Sequence, residues 1–372
     1  MEIPDNPGVD VRNLATVFAD ATNSYKFYWL LSILDSLREH NQPRMSMQDL
    51  SLRMLAKVWY PLDFFKLSFG KQDSFKTVAA AVSLAITVDN RPAAPSLYEQ
   101  LRTGTSPAAL ENLLQATRRL LAWVPYRFIR PFFAAETRGI PDQQVNARVT
   151  LLAAGSTHAP YRIEGDHIVL HEAWVRYFQE HQLILRAFAQ WHMVQFLQKH
   201  NPNVIGLSQK LEKLGPEQRK LNAAKRYWQG YLDVHPSFAC IYSGQNITSL
   251  NMSLDHFLPW SFVVHDQLWN IIPTPKAVNS AKNDWLPDLA YFPAFAHQQY
   301  QAFHYHANLT SQQALLEDYH VLFGQSLQEV RECSFEAFEN RLRAQVIPQW
   351  QTAHNLGFRA PFRFVIPQST RN

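Results

Sequence analysis

Residues Cys240 to Pro287 read CIYSGQNITSLNMSLDHFLPWSFVVHDQLWNIIPTPKAVNSAKNDWLP. An Asp-His pair, Asp255 and His256, opens the informative part. Pro259, Asn270, Asn279, Lys282, Asp284 and Pro287 follow. A carboxylate, an imidazole, two carboxamides and an ammonium therefore fall within a segment short enough to fold as one small unit.

Those groups suit one kind of chemistry. Hydrolysing a phosphodiester needs an activated water, neutralisation of charge building on the phosphate, and help for the departing oxygen. A neutral imidazole, with a reference pKa of about 6.5, can take the water's proton. One Mg²⁺ can supply much of the electrostatic part, and it prefers oxygen ligands. Asp255 and Asn279 offer a carboxylate and an amide oxygen. If the Asp-His pair lies at a strand end, its two side chains point to opposite faces and separate base from metal. On a helix, Asn279 and Lys282 share a face, which aims the ammonium at the same phosphate. Each residue alone has a plainer reading: an Asp-His pair in a surface loop, or asparagines in turns. Five elements in register make coincidence a poor account. His235 and His265 flank the motif, and His265 reads as a loop residue rather than a second base.

The pattern D-H-x-x-P followed by N-x8-N-x-x-K-x-D-x-x-P resembles the HNH (ββα-metal) endonuclease signature, in the form carried by restriction-type and CRISPR-effector nucleases. His256 to Asn270 spans fourteen residues and Asn270 to Asn279 nine, as in the CRISPR-effector version. The resemblance covers roughly residues 236–290. It implies His256 as general base, Asp255 and Asn279 as ligands of Mg²⁺ or Mn²⁺, Asn270 as a brace that orients His256, and Lys282 as a phosphate contact. It implies DNA as the substrate.

One departure bears on the fold. Many members begin C-x-x-C-G and carry a second cysteine pair, binding a structural zinc. Here the first pair is Cys240-Ile-Tyr-Ser243-Gly244, with one thiol gone, and the second is absent around Thr274 and Val278. Four-cysteine zinc is excluded from this stretch, so no structural zinc is expected. Packing by Ile241, Ile247, Leu254, Phe257, Trp260, Trp269 and Ile271 must hold the hairpin instead.

Two further phrases, TNSYKFYWLLSILDSL (22–37) and KHNPNVIGLSQKLEKL (199–214), with the HNH stretch behind them, are similar to a group of large bacterial HNH proteins. Many of these act in antiphage defence, among them the HNH effector of type II Zorya systems. This resemblance implies a defence effector working with other proteins, its long N-terminal part restraining or positioning the nuclease.

Composition sets the frame. At 372 residues the chain is long enough for two or three units. With 47% apolar and 18% charged residues, wholesale disorder is excluded. Aromatic residues suit core packing, or stacking against bases. Two cysteines, Cys240 and Cys333, make no disulfide framework, so a reducing compartment is expected. The start lacks a basic segment followed by an apolar run, so no signal peptide is expected. The longest apolar runs, about Phe27–Leu34 and Val78–Val88, fall short of the ~18 residues a spanning helix needs. The expectation is a cytoplasmic protein with no membrane partner. Net charge is only +4, but Lys210, Lys213, Arg219, Lys220, Lys225 and Arg226 cluster just before the motif. They are candidate nucleic-acid contacts, with a solvated helix face as the alternative.

Periodicity predicts helices from Asn23-Ser24 through Leu37, from Ser46 to about Pro61, over 73–88, from Pro107 to Leu121, and over 172–200 with a split around His181. VPYRFIRPFF (124–133) reads as extended or irregular. Arg148–Ala153, Tyr161–Glu164 and His167–Leu170 read as strands, the last two as a hairpin about Gly165. Helices followed by a hairpin suit either an ordinary mixed helical domain or a winged-helix-like one. One or two basic helices follow over 207–231, then more helices over Tyr291–His306, Ser311–Leu322 and Phe335–Val346. The fold class is mainly α with small β elements. The expected division is a helical regulatory or DNA-binding domain (1–200), a basic helical connector (201–235), the nuclease module (236–290) and a helical extension (291–372). The leading function is a metal-dependent DNA endonuclease, by default a nickase. The alternatives are a non-catalytic DNA-binding or complex-forming subunit with a relic fold, and an RNA endonuclease.

Overall fold

The computed structural model describes residues 2–19, 21–70, 73, 75, 77–79, 82, 92–211, 221–309 and 314–365. They gather into two compact units, Met1–Pro202 with Leu207–Pro216, and Asn203–Gly206 with Glu217–Asn372. Both are helical, with short strands.

The first unit is built on the helix Tyr25–His40, which is buried nearly all round. A helix of that kind must also satisfy its polar groups in the interior. Trp29 Nε1 donates to the Tyr161 hydroxyl at 3.0 Å, and that hydroxyl donates to the Pro125 carbonyl at 2.6 Å. The Asp35 carboxylate pairs with Lys57 and Arg186. Burial alone would raise its pKa; the two cations more than reverse this and hold it below the usual range. The helix Met47–Trp59 ends in a π turn, Tyr60–Phe64, at the expected position of Pro61. The two helices at 172–200 are Glu172–Glu180 and Gln182–His200, divided at His181. The hairpin is present with the expected bounds, β2 (Tyr161–Glu164) and β3 (His167–Leu170), and β1 (Arg44–Ser46) adds to it in the order β1-β3-β2. A strand between the first two long helices that pairs with a later hairpin is what the winged-helix alternative needs. The hairpin turn, however, carries Glu164 and Asp166 at its tip, a poor match for a phosphate backbone.

Two local expectations are overturned. Residues 124–133 are helical, as the α-helix Val124–Ile129 and the 3-10 turn Arg130–Phe133. Pro125 and Pro131 each fall in a first turn, where no backbone N–H is required and the fixed φ already suits a helix. Arg148–Ala153 belongs to the helix Asp142–Ala154 rather than to a strand. Val145, Val149 and Ala153, fully buried at i, i+4 and i+8, form one helix face, and that burial overrides the β preference of valine. The expected helix over 73–88 lies largely outside the described residues.

The second unit surrounds the motif. A two-stranded ribbon, β4 (Phe238–Ala239) with β5 (Asn246–Ile247), leads to the hairpin of β6 (Met252–His256) and β7 (Ile271–Pro275) and to the helix Lys276–Lys282. In the hairpin Asp255 faces Ile272 and His256 faces Ile271. One continuous core runs from Ala224 to Phe362, so the connector helix Asn222–Val234 and the C-terminal helices pack with the motif. Trp228 Nε1 and Gln299 Nε2 both donate to the Ile271 carbonyl, each at 2.9 Å, which fixes the start of β7. Trp350 Nε1 reaches the Pro287 carbonyl, and Phe362 N–H bonds Leu286 O at 2.7 Å, closing the exit of the motif with the end of the chain.

The knuckle at Cys240 is a turn held by its own backbone. Cys240 N–H bonds Gln245 O at 2.8 Å, and Gly244 N–H bonds Cys240 O at 2.9 Å. Gly244 has φ of 69°, a left-handed conformation that favours glycine. Cys240, Thr274 and Val278 are buried. Of the side chains expected to hold the hairpin, Ile247, Phe257, Trp269 and Ile271 are core, while Ile241 and Leu254 pack against it partly buried.

Candidate active site

The last two residues of β6 carry the Asp-His pair, and both side chains are buried. They have different partners. His256 Nε2 lies 2.9 Å from Asp266 Oδ1, in the loop between the hairpin strands. Asp255 meets Lys282 from the following helix, with 3.3 Å from Nζ to each carboxylate oxygen.

Asn270 closes that loop at its base. It is fully buried, its Oδ1 accepting from Leu258 N–H at 2.8 Å and its Nδ2 donating to Leu258 O at 2.9 Å. Its own carbonyl accepts from Phe257 N–H at 2.8 Å. The chain directly after His256 is thereby tied to the start of β7 by three hydrogen bonds.

The helix Lys276–Lys282 is fastened to β6 by the two side chains expected to share its face. Strand alternation turns the carbonyls of Leu254 and His256 to the edge away from β7. Asn279 Nδ2 donates to Leu254 O and to Ser253 Oγ, both at 2.8 Å. Lys282 Nζ donates to His256 O at 2.6 Å. Residues one helical turn apart thus satisfy carbonyls two residues apart on the strand.

This arrangement corrects one expectation. Lys282 does not face outward toward a phosphate; it has no exposed surface. Burial pushes its amine below the usual range, with Asp255 pulling the other way. Burial likewise pushes the Asp255 carboxyl up, against the pull of Lys282 and His256. The ammonium is the internal counter-charge of Asp255.

The Asp255 and Asn279 side chains fit a hard divalent cation. Asp255 Oδ2 is buried and lies 3.3 Å from Lys282 Nζ. Because Leu254 O can only accept, the Asn279 amide must turn its nitrogen there, which leaves Oδ1 with no hydrogen bond among the described residues. Two protein oxygens, with water and substrate phosphate completing the shell, suit Mg²⁺. Among the described residues no group of three or more His, Cys, Asp or Glu side chains forms a denser metal cage.

The basic cluster does not survive as one surface. Lys225 and Arg226 are exposed on the helix Asn222–Val234. Lys213, Arg219 and Lys220 lie outside the described residues. Lys210 is fully buried in the first unit, its ammonium 5.8 Å from the centre of the Phe65 ring. It cannot reach a nucleic acid from there. Burial pushes its amine down to about 7 from the ordinary 10.5. Between roughly pH 7 and 10.5 the unfolded chain holds a proton that the folded chain lacks, so stability should rise with pH over that window. Lys210→Met is expected to flatten the rise. Urea unfolding at pH 7 and pH 9.5 measures it, and equal slopes for both proteins would refute burial of the charge.

Of the flanking histidines, His235 Nδ1 lies 2.9 Å from Tyr231 O and the ring stacks on Tyr231. His265 packs its ring against Trp269, as a loop residue. Asp266 is the site residue that sequence reasoning missed. No fixed spacing ties a loop carboxylate to an imidazole ten positions earlier, and its only signal was an acid in the segment between the histidine and Asn270.

Among the described residues no helix is long and apolar enough to cross a membrane. Comparison with curated proteins and with solved structures yields no match. Residues 240–288, the segment that supplies Asp255, His256, Asn270, Asn279 and Lys282, match the HNH endonuclease family.

Proposed function

We propose that this protein is a metal-dependent endonuclease that cuts DNA one strand at a time. The observation that carries the reading is the match of residues 240–288 to the HNH endonuclease family, together with the buried His256–Asp266 pair at the end of β6. Asp255 and Asn279 would hold Mg²⁺ or Mn²⁺, which supplies charge neutralisation at the phosphate. His256, through Nδ1, takes the proton of the attacking water. Asn270 holds the chain that carries His256. Lys282 pairs with Asp255 within the core and fixes the helix that presents Asn279. Lys225 and Arg226, exposed in the same unit, are candidates for contact with the DNA backbone. One such site addresses one strand, so a nick is the product expected of a single chain. The resemblance to defence effectors supports the reading that the first unit restrains or positions the nuclease, in concert with other proteins of such a system.

Supercoiled plasmid incubated with Mg²⁺ or Mn²⁺ should be converted to open circles, and EDTA should abolish the conversion. An RNA of matching length in parallel tests the substrate class, and faster RNA cleavage would reassign it. The fragment 200–372 in the same assay tests restraint: faster cutting than the full chain supports it, and an equal or slower rate removes it. No cleavage by either protein would favour the relic reading, for which the Lys282 ammonium on Asp255 is the one structural argument.

A further inference from the structure

We infer that Asp266 is a positioning residue for His256, holding the imidazole in the tautomer that leaves Nδ1 free as the base. This deepens the proposed function and rests on it. An ionised carboxylate only accepts hydrogen bonds. At 2.9 Å from Asp266 Oδ1, His256 Nε2 must therefore carry the proton. In a neutral ring Nδ1 is then the nitrogen with a lone pair. No hydrogen bond engages Nδ1 among the described residues, so its lone pair is available to a water.

The pair is built rather than incidental. The His256 side chain is 5% exposed and that of Asp266 12%, so little solvent competes for the contact. Both ends of the loop that carries Asp266 are fixed. Asn270 ties it to Leu258. On the far side, Leu268 N–H donates to Asp318 Oδ2 at 2.8 Å, and Gln299 Nε2 donates to Leu268 O at 3.3 Å. Asp318 and Gln299 belong to C-terminal helices, so those helices help set the angle of the imidazole. Removing the partner that orients a metal-bound histidine costs about 10–100-fold in activity, and a similar factor is expected for a histidine held as a base.

The test uses the full chain. With histidine nitrogens labelled, the ¹⁵N spectrum at pH 8, assigned by difference against His256→Ala, should show His256 protonated at Nε2. Protonation at Nδ1 overturns the inference whatever the activity. Asp266→Asn can present either its oxygen or its amide to the ring, so it no longer selects one tautomer. Its cleavage rate constant should fall about 10–100-fold with KM within a factor of two and an unchanged melting temperature, and Asp266→Glu should recover part of the loss. A variant Asp266→Asn that cuts as fast as the parent overturns the inference. If Asp266→Asn does not fold, the spectrum of the parent protein decides alone. Should the parent cut no DNA, the proposed function fails, and the spectrum still judges the Asp266–His256 pair.

Discussion

His256→Ala should lower the rate of plasmid nicking by about 10²–10⁴-fold, the usual contribution of a general base. The fold should tolerate the change. Among the described residues the imidazole has one hydrogen bond to lose, to Asp266. The bracing around it does not pass through the ring: Asn270 bonds the backbone of Leu258, and Lys282 bonds the backbone carbonyl of residue 256, which alanine retains. DNA affinity should also persist, because no phosphate contact is assigned to the imidazole. Rate, affinity and melting temperature measured on one preparation separate these effects. A loss below about tenfold, with affinity unchanged, would remove His256 from the base role. A large loss accompanied by a lowered melting temperature would instead show the ring to be structural. The relic alternative predicts no metal-dependent cutting by either protein.

The sequence carried the motif and most helices because each depends on residues near one another in the chain. The long helices show apolar residues at helical spacing, the hairpin is marked by Gly165, and the motif is legible because its hairpin and following helix are contiguous in the chain. What failed depends on the third dimension. Val145, Val149 and Ala153 read equally as strand or helix until a core is known. Pro125 and Pro131 read as breakers, although a proline in a first turn starts a helix. Lys210 looked like one of a run of candidate nucleic-acid contacts, and only the packing around Phe65 puts it inside. Asp266 and Lys282 failed in opposite ways. The first lacked a spacing rule. The second had one, and the correct face of its helix, yet that face turns inward onto β6.

The orientation of Lys282 makes the other large prediction. A lysine that reaches for substrate phosphate is exposed, and replacing it changes stability by less than about 0.5 kcal/mol. A buried lysine that neutralises a buried carboxylate behaves otherwise: removing one partner leaves an uncompensated charge, at about 3–5 kcal/mol. Lys282 has no exposed surface, meets both oxygens of Asp255, and also satisfies the His256 carbonyl. Lys282→Met should therefore lower the unfolding free energy by about 3–5 kcal/mol in urea, without metal. The double variant Asp255→Asn, Lys282→Met should recover much of this, since removing both charges of a buried pair costs far less than removing one. Mg²⁺ should stabilise Lys282→Met more than the parent, because a cation that binds the folded state alone shifts unfolding by mass action, and the variant's carboxylate lacks its internal competitor. A Lys282→Met protein as stable as the parent, with slow cutting and raised KM, would return Lys282 to the phosphate and show that the helix turns its other face when DNA is bound. A destabilised protein that Mg²⁺ does not rescue would keep Lys282 as counter-charge but take the metal away from Asp255.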